Sequence, residues 1–514
     1  MNAWVEIGIL CYFLLLNGCY TILVYIAGID ILHQFAVRRP ECDADAWQEW
    51  TTPPVTIIAP AYNEELTIIP SVLAFLGSGY PRLSIVVVND GSRDGTLDLL
   101  RRRFALEPSN MVTWRRLESK PVRGIYRSRT HDNLLVVDKE NGGKADALNA
   151  GLNLCRSPLV CCVDADTLIE KGALLRMVGC FFHQKDRVIA VGGTLRVANG
   201  CTIRDGVVEA VGWPKGWLAR FQVFEYLRSF LFGRMGFNPL RGSLIVSGAF
   251  AMFDCEAVVK VGGYLRGCVG EDMELIIRLH REFRRRKIPY RVHYIAEPIC
   301  YTQVPESVRT LGRQRDRWQR GLCDALWRHR NMCFNPRYGA TGMIVYPFFL
   351  FFEFFGPPIE MLGYLWFTYC IVAGELNTEF AVLFACTAFL WGLLISVQAI
   401  LLEAVASTRL FERPLRGQLL FTCFAEWFGY RQLSLSYRLR GLAKYFMGAK
   451  SWGRMKRRSL GSLSKHGPAH AGPPYFTPSA PRSQGGGDLE AEAASRVSAG
   501  TTVGGKGAGR QRAA

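Results

Sequence analysis

Three long apolar stretches constrain the fold of this chain more than any other feature. Each is nearly free of charge, and about 20 apolar residues suffice to cross a bilayer. The first is too long for a signal-peptide core and has no basic region before it, which predicts a transmembrane helix. Three prolines in the second predict a short interfacial helix followed by a span. The stretches are Trp4–Leu32, Gly342–Ala373 and Phe380–Ala406.

The distribution of charge predicts how these segments are oriented. Lys and Arg number 62 against 44 Asp and Glu, which gives a formal net charge of +18. Arg38 and Arg39 follow the first stretch, and eleven Lys or Arg but no acid lie between Trp427 and Gly487. Basic flanks face the cytoplasm, so we expect an outside N-terminus, a cytoplasmic C-terminus and an odd number of spans, for which three fits. The basic balance indicates anionic lipid or anionic substrate as partners, and not nucleic acid.

The region between the first two stretches predicts an α/β domain. Short apolar runs alternate with helical patterns, which is typical of a mostly parallel sheet with helices on both faces. Ligands of such sheets bind at the carboxyl ends of the strands. The predicted strands are Val55–Ala59, Ser84–Val88, Leu134–Val137 and Leu159–Val163, and the predicted helices are Glu65–Leu76, Asp94–Phe104, Lys144–Cys155 and Lys171–Phe182.

The C-terminal part divides into a helical pair and a tail. Leu415–Phe428 and Gln432–Phe446 are amphipathic and predict re-entrant or interfacial helices. From about Gly461 the chain is rich in Gly, Ser, Pro and Ala and cannot bury a core, so we expect disorder. The predicted organisation is an N-terminal transmembrane helix, a cytosolic α/β domain, C-terminal transmembrane and interfacial helices, and a disordered tail. Their ranges are 1–33, 50–335, 340–450 and 460–514.

Carboxylates follow two of the predicted strands. Asp90 precedes Gly91-Ser92, a turn that suits presentation of a carboxylate to a uracil N–H or a ribose hydroxyl, although an Asx turn would have the same sequence. Asp164 and Asp166 are two residues apart and would project together from a strand end. Two carboxylates there repel each other, which favours Mg²⁺ or Mn²⁺ between them over a solvated acidic turn.

Three further motifs lie at helices. Lys144 follows Gly142-Gly143 at a helix start, where free N–H groups favour an anion. Asp272 opens another predicted helix, and Glu271 is expected to point elsewhere. An ordinary acidic first turn would look the same. A longer predicted helix carries Gln314, Arg317 and Trp318 on one face. These side chains suit a platform for a sugar with a clamp for its phosphate. A helix next to the membrane, whose long side chains extend toward the lipid surface, would have the same pattern.

Taken in order, these motifs resemble the membrane-embedded processive family 2 glycosyltransferases. The family includes poly-N-acetylglucosamine, hyaluronan, chitin and cellulose synthases. The resemblance covers roughly residues 50–458 and also includes Val246–Phe250, which looks like the acceptor-channel strand, and Ser451–Arg457, which is similar to the end of the poly-N-acetylglucosamine synthases. Gly270 departs from the Thr of many members, while the acidic pair after it is kept.

The resemblance implies a GT-A fold, inversion at the anomeric carbon and a UDP-sugar donor. Asp90 and Lys144 would bind the nucleotide, and Asp164 and Asp166 the diphosphate, with Asp166 nearest an Mg²⁺ or Mn²⁺ ion. Asp272 would be the general base. Trp318 would stack on the acceptor sugar, with Gln314 and Arg317 completing the donor site.

The implied partners are the donor, a growing polysaccharide acceptor and membrane lipid, with export or accessory subunits left open. The implied location is the inner (plasma) membrane, crossed several times, with the catalytic domain in the cytoplasm. The Trp452 region favours N-acetylglucosamine as the sugar. Two alternatives remain open at this point: a non-processive glycosyltransferase acting on a lipid, and a transport or scaffold protein with an inactive domain.

Overall fold

The computed structural model describes residues 2–36, 52–182, 186–406 and 413–448. Contacts divide the chain into Met1–Lys465 and His466–Ala514. The predicted disordered tail, the Ser451–Arg457 motif and the two arginines after the first helix lie outside the described residues.

Ten strands of the described chain form one mixed sheet, and two more form a separate hairpin. The order in the large sheet is β3-β4-β5-β2-β1-β6-β11-β8-β12-β7. The strands are β1 Val55–Ala61, β2 Leu83–Asp90, β3 Leu106–Pro108, β4 Val122–Ser128, β5 Leu134–Lys139, β6 Leu159–Val163, β7 Thr167–Ile169, β8 Val188–Val197, β9 Thr202–Arg204, β10 Val207–Ala210, β11 Phe250–Asp254 and β12 Arg291–Thr302.

The four predicted strands are present and form the parallel core of this sheet. β1 pairs in parallel with β2 on one side and β6 on the other, and β2 pairs in parallel with β5. Their side chains are buried on both faces, which explains why they read as continuous apolar runs. Antiparallel strands extend this core on both sides, since β4 pairs with β5 and β11 with β6. The α/β class is confirmed, and the sheet as a whole is mixed.

Helices flank the sheet and continue into the apolar segments. The four predicted helices are confirmed as α2 to α5, each slightly shorter than expected. The helices are α1 Asn2–Ala36, α2 Ile68–Leu76, α3 Thr96–Phe104, α4 Lys144–Leu152, α5 Ala173–Phe182, α6 Trp217–Leu227, α7 Cys255–Lys260, α8 Glu271–Arg285, α9 Val308–Arg328, α10 Tyr346–Phe348, α11 Gly356–Ala373, α12 Thr378–Ala406, α13 Arg413–Ala425 and α14 Tyr430–Phe446.

Three helical stretches in the described chain are long and apolar enough to cross a membrane, as predicted. They are Trp4–Gln34, Thr341–Ala373 and Thr378–Val405. The middle one runs through α10 and α11 and includes two π-helical segments, Thr341–Val345 and Phe349–Phe354. The amphipathic C-terminal pair is also present, as α13 and α14.

Buried ion pairs join the sheet domain to the C-terminal helices. Arg196 on β8 lies 2.5 Å from Glu403 on α12, and the two side chains are 4% and 1% exposed. Arg228, just after α6, pairs with Glu426 just after α13. Removing one partner of such a pair leaves an uncompensated buried charge, at a cost of about 3–5 kcal/mol. These pairs therefore fix the sheet relative to the apolar helices.

Candidate active site

One cavity of about 1970 Å³ connects the carboxyl ends of the central strands with the apolar helices. All eight residues singled out from the sequence line it: Asp90, Lys144, Asp164, Asp166, Asp272, Gln314, Arg317 and Trp318. Its other end is lined by α1, α11 and α12. The structure therefore brings together motifs that are up to 228 positions apart in the chain.

Asp90 lies at the end of β2 and is only 2% exposed. Its carboxylate accepts hydrogen bonds from the backbone N–H groups of Gly142 and Gly143 at 3.0 and 2.7 Å. It also accepts one from Nζ of Lys139 at 2.7 Å. Lys139 is fully buried and is shared with Asp146 at 2.6 Å. Asp90 thus fixes the glycine loop that leads into α4.

Lys144, the first residue of α4, links three parts of the site. Its Nζ lies 2.5 Å from Oδ1 of Asp164 and 3.7 Å from Oε1 of Glu271, and it donates to the carbonyl of Gly248 at 2.8 Å. Burial lowers the pKa of Lys144, but the neighbouring carboxylates outweigh it, so the net pKa is raised. Lys144 therefore stays cationic at neutral pH.

The acidic pair lies in a turn, which corrects the expectation that both residues extend a strand. β6 ends at Val163 and β7 begins at Thr167, so Asp164 and Asp166 occupy the tight connection between them. Both still face the cavity; the Asp164 side chain is 29% exposed, and Asp166 as a residue is 3% exposed. The turn places them together because the Thr167 N–H returns to the Asp164 carbonyl at 3.0 Å.

The donor set of this turn fits a hard divalent cation. The carboxylates of Asp164 and Asp166 both face the cavity, and the ammonium of Lys144 lies against that of Asp164. No group of three or more His, Cys, Asp or Glu in the described ranges is arranged to hold a metal. A cation here would therefore need further oxygen ligands from water or a phosphate, as Mg²⁺ usually does.

Asp272 and Glu271 begin α8 at the same cavity. A Cβ on Gly248 would lie 2.7 Å from Oδ2 of Asp272, so only glycine allows this carboxylate to approach the backbone there. Glu271 faces Lys144, so the expectation that it points elsewhere is wrong. Burial raises the pKa of Glu271 to about 7, Lys144 opposes the shift, and Asp272 adds to it. The side chains of Glu271 and Asp272, at the start of α8, therefore both face the cavity.

The helical motif on α9 faces the cavity as predicted. Gln314 is buried, whereas Trp318 is 44% exposed. Arg315 was not predicted from the sequence. Its guanidinium lies 4.2 Å from the ring centroid of Trp318, donates to Oε2 of Glu225 at 2.5 Å and donates to Oε1 of Gln314 at 3.1 Å. Arg315 thus orients both Gln314 and the indole.

Segment Val246–Phe250, expected to be a strand, is irregular up to Ala249, and β11 starts at Phe250. The irregular backbone explains how the Gly248 carbonyl can turn toward Lys144. Lys139 was also missed. It lies two residues after the predicted strand Leu134–Val137, between Asp138 and Glu140, so no pattern in the sequence indicated its burial.

Residues 56–262 match the model of the family described as Glycosyl transferase family 2. The match covers strands β1 to β11, apart from Val55, and the turn that carries the acidic pair, but not β12. It confirms the resemblance to family 2 enzymes that the sequence motifs indicated.

The chain is also similar to named relatives. It is 29% identical over 293 residues to poly-beta-1,6-N-acetyl-D-glucosamine synthase of Staphylococcus aureus strain COL, which is 57% of this chain and 58% of that protein. It is 27% identical over 276 residues to the synthase of Staphylococcus epidermidis, 53% of this chain and 56% of that protein. The similarity spans less than two thirds of the length of these curated relatives.

A solved structure shows the same fold. A mannosyltransferase from Pyrobaculum calidifontis, in complex with GDP-Man and Mn²⁺, superposes with a TM-score of 0.54 at 18% identity. The superposition covers 86% of this chain and 99% of that one. At this identity the likeness concerns the fold, and it confirms the GT-A type expected from the sequence.

Proposed function

We propose that this chain, which carries a family 2 glycosyl transferase domain of GT-A fold, is an inverting enzyme that builds a β-linked polysaccharide from a UDP-sugar and exports it. The proposed sugar is N-acetylglucosamine, as in the names of the synthases with which the chain aligns. One observation carries the proposal: a single cavity extends from the carboxylate site to the apolar helices. Transfer and export can then share one path.

The sheet end of the cavity suits a nucleoside diphosphate. Asp90 would hold the uridine, and Lys144 supplies positive charge beside Asp164. Asp164 and Asp166 would hold Mg²⁺ or Mn²⁺, which supplies Lewis-acid neutralisation of the charge that grows on the leaving diphosphate. The mannosyltransferase of the same fold was solved with Mn²⁺, which supports a divalent ion here.

Asp272 would act as the general base. The acceptor hydroxyl oxygen attacks the anomeric carbon, the bond from that carbon to the diphosphate oxygen breaks, and UDP leaves with the electron pair. The acceptor proton passes to the Asp272 carboxylate. This role needs one carboxylate opposite the leaving group, and Asp272 lines the cavity on a different element from the Asp164–Asp166 turn.

The α9 side of the cavity suits the acceptor. Trp318 would stack on the acceptor sugar, while Gln314 and Arg317 complete the donor site. Arg315 keeps the indole in place by its contact at 4.2 Å. Beyond this point the product would leave between α1, α11 and α12. The charge pattern supports an inner-membrane protein with its catalytic domain in the cytoplasm.

The test is a product assay on the purified full chain in detergent. Radiolabelled UDP-N-acetylglucosamine, UDP-glucose and UDP-galactose are supplied with Mg²⁺ or Mn²⁺, and products are separated by size and by extraction into organic solvent. The expected result is a long polymer from UDP-N-acetylglucosamine. A single labelled glycolipid would indicate a lipid acceptor, and no product would indicate an inactive domain; either would contradict the proposal.

A further inference from the structure

Arg234 lines the same cavity, although neither the sequence motifs nor the proposed mechanism uses it. It lies between the π-helical segment Arg228–Phe232 and the short turn Met235–Phe237. Its guanidinium carbon is 3.9 Å from the ring centroid of Phe230. This turn packs against α1, where a Cβ on Gly236 would meet the Leu23 carbonyl at 2.8 Å. Arg234 is therefore held where the catalytic part meets the first apolar helix.

The guanidinium of Arg234 has no ion pair and no side-chain hydrogen bond within the part of the chain that the structure describes, and its Nη1 is buried. Two other arginines of the cavity wall are paired: Arg228 with Glu426 and Arg315 with Glu225. A buried donor left unpaired costs free energy, since it has lost its water. An unpaired guanidinium in the wall of a binding cavity therefore indicates a ligand that completes its hydrogen bonds.

The surroundings of Arg234 indicate which ligand this is. Burial lowers the pKa of Arg234, and the nearby Tyr294, Asp272 and Tyr226 only partly offset the shift. The ring of Phe230, against which Arg234 lies, is 5.4 Å from the ring of Tyr226, and Asp272 lines the same cavity. Tyr226 in turn faces Trp318, with ring centroids 6.5 Å apart. Arg234 belongs to the acceptor side of the cavity.

An acceptor sugar has the chemistry that this position requires. Its hydroxyl, ring and acetamide oxygens accept hydrogen bonds, and guanidinium offers five donors and no acceptor. The rings of Tyr226 and Phe230 also line the cavity, and aromatic rings suit the apolar parts of a sugar. We propose that Arg234 forms an acceptor-sugar subsite, donating hydrogen bonds to the growing glycan where it passes from Asp272 toward the apolar helices. This inference rests on the proposed polymer synthesis.

The variant that tests it is Arg234→Met. Methionine keeps an apolar stem against Phe230 but removes every donor. The matched control is Arg220→Met, since Arg220 also stacks on an aromatic ring, Trp217 at 4.7 Å, but does not line the cavity. Full-length proteins are supplied with UDP-N-acetylglucosamine and a β-linked N-acetylglucosamine oligosaccharide. The KM for the oligosaccharide and the Kd for UDP are measured for each.

We expect the oligosaccharide KM of Arg234→Met to rise by about 10-fold or more, because hydrogen bonds from a charged donor are lost. The UDP Kd should stay within about two-fold of the parent, which also reports that the variant is folded. Arg234→Lys keeps the positive charge but loses the planar guanidinium with its paired N–H donors. Its oligosaccharide KM should lie between those of the parent and of Arg234→Met. It replaces the Met variant if that protein aggregates on gel filtration.

Two results would overturn the inference. One is an oligosaccharide KM for the Arg234 variants that matches the Arg220→Met control. The other is an equal loss of UDP affinity, which would assign Arg234 to the donor. A parent protein that elongates no oligosaccharide would instead overturn the proposed function, so the two failures are distinguishable.

Discussion

The two ends of the cavity are built from different chemistry. At the sheet end, charged side chains lie against one another at fixed distances: Lys144 is 2.5 Å from Asp164, and Lys139 is 2.7 Å from Asp90. At the membrane end, the wall is mostly aromatic and aliphatic. The rings there come from Tyr12, Phe13, Phe352, Phe367 and Phe384.

Under the proposed function, this difference would separate catalysis from passage of the product. Preorganised charges stabilise a developing charge without reorganising at the moment of reaction, so small changes at the sheet end should have large effects on rate. The wall of rings would contact the proposed glycan through many weak interactions, so the polymer could slide without any single contact being kept. Substitutions at the sheet end should therefore change turnover, and substitutions at the membrane end should change product length.

The largest effect should come from Asp272→Asn. Asparagine keeps the shape of the side chain but cannot take a proton, and a positioned base contributes about 10²–10⁴-fold. Polymer yield should fall by about that factor while the UDP Kd stays close to that of the parent. Asp98→Asn, on the exposed start of α3, is the control. Polymer synthesis within a few-fold of the parent would remove Asp272 from the role of base.

A comparable loss should follow from removing the metal or one of its ligands. Asp166→Asn should abolish turnover, because one hard anionic ligand is lost beside the diphosphate. The parent should lose activity in EDTA and recover it with Mg²⁺ or Mn²⁺. The turnover of Asp166→Asn and that of the chelated parent are both measured as the rate of UDP release. Undiminished activity in excess chelator would contradict the roles of Asp164 and Asp166.

At the membrane end, Gly363→Trp should shorten the polymer without abolishing transfer. A Cβ at Gly363 meets no atom within 4 Å, and this residue of α11 lines the cavity, so an indole would fill the path. Gel filtration should show a smaller product, with the initial rate of UDP release within about three-fold of the parent. Gly8→Trp on α1 is the control, since Gly8 also faces open space but does not line the cavity. Full-length product from Gly363→Trp would argue against passage along α11.

The smallest effect concerns Glu271 and stability. Its pKa of about 7 lies above the ordinary value of 4.5, so between these pH values the native state binds more protons than the unfolded state. The contribution of Glu271 to the free energy of unfolding therefore decreases as pH rises from 4.5 to 7. Glu271→Gln, which cannot titrate, should raise the Tm relative to the parent by about 2–4 °C more at pH 8 than at pH 5. The parent and the Glu271→Gln variant are melted in EDTA without donor, and Glu107→Gln is the exposed control. A Tm difference between variant and parent that is equal at both pH values would contradict the raised pKa of Glu271.

The centre of the fold could be predicted because β1, β2, β5 and β6 are continuous apolar runs between helical patterns. The outer strands could not be. β8 contains Gly192, Gly193 and Arg196, and β12 contains His293 and Glu297. Polar and glycine residues interrupt the apolar pattern, and their burial depends on partners that are distant in the sequence, such as Glu403 for Arg196.

The carboxylates of the site could be predicted, as could Lys144 and Arg317, but the buried cations Lys139 and Arg315 could not. Acidic residues that follow parallel strands indicate the ligand-binding edge of the sheet by their position alone. The pairing of Lys139 with Asp90 and of Arg315 with Glu225, in contrast, exists only after folding. The inward direction of Glu271 also depends on Lys144 lying opposite the start of α8. Sequence position therefore predicted which carboxylates line the cavity, and the tertiary structure adds the residues that orient them.

The central claim, that one cavity serves both transfer and export, is tested most directly in sealed vesicles. The purified full chain is reconstituted into proteoliposomes, and radiolabelled UDP-N-acetylglucosamine with Mn²⁺ is added outside only. Molecules with an outward catalytic domain should make a polymer that accumulates in the lumen, where an added β-N-acetylglucosaminidase degrades it only after detergent is supplied. Polymer that the enzyme degrades fully without detergent would contradict the claim.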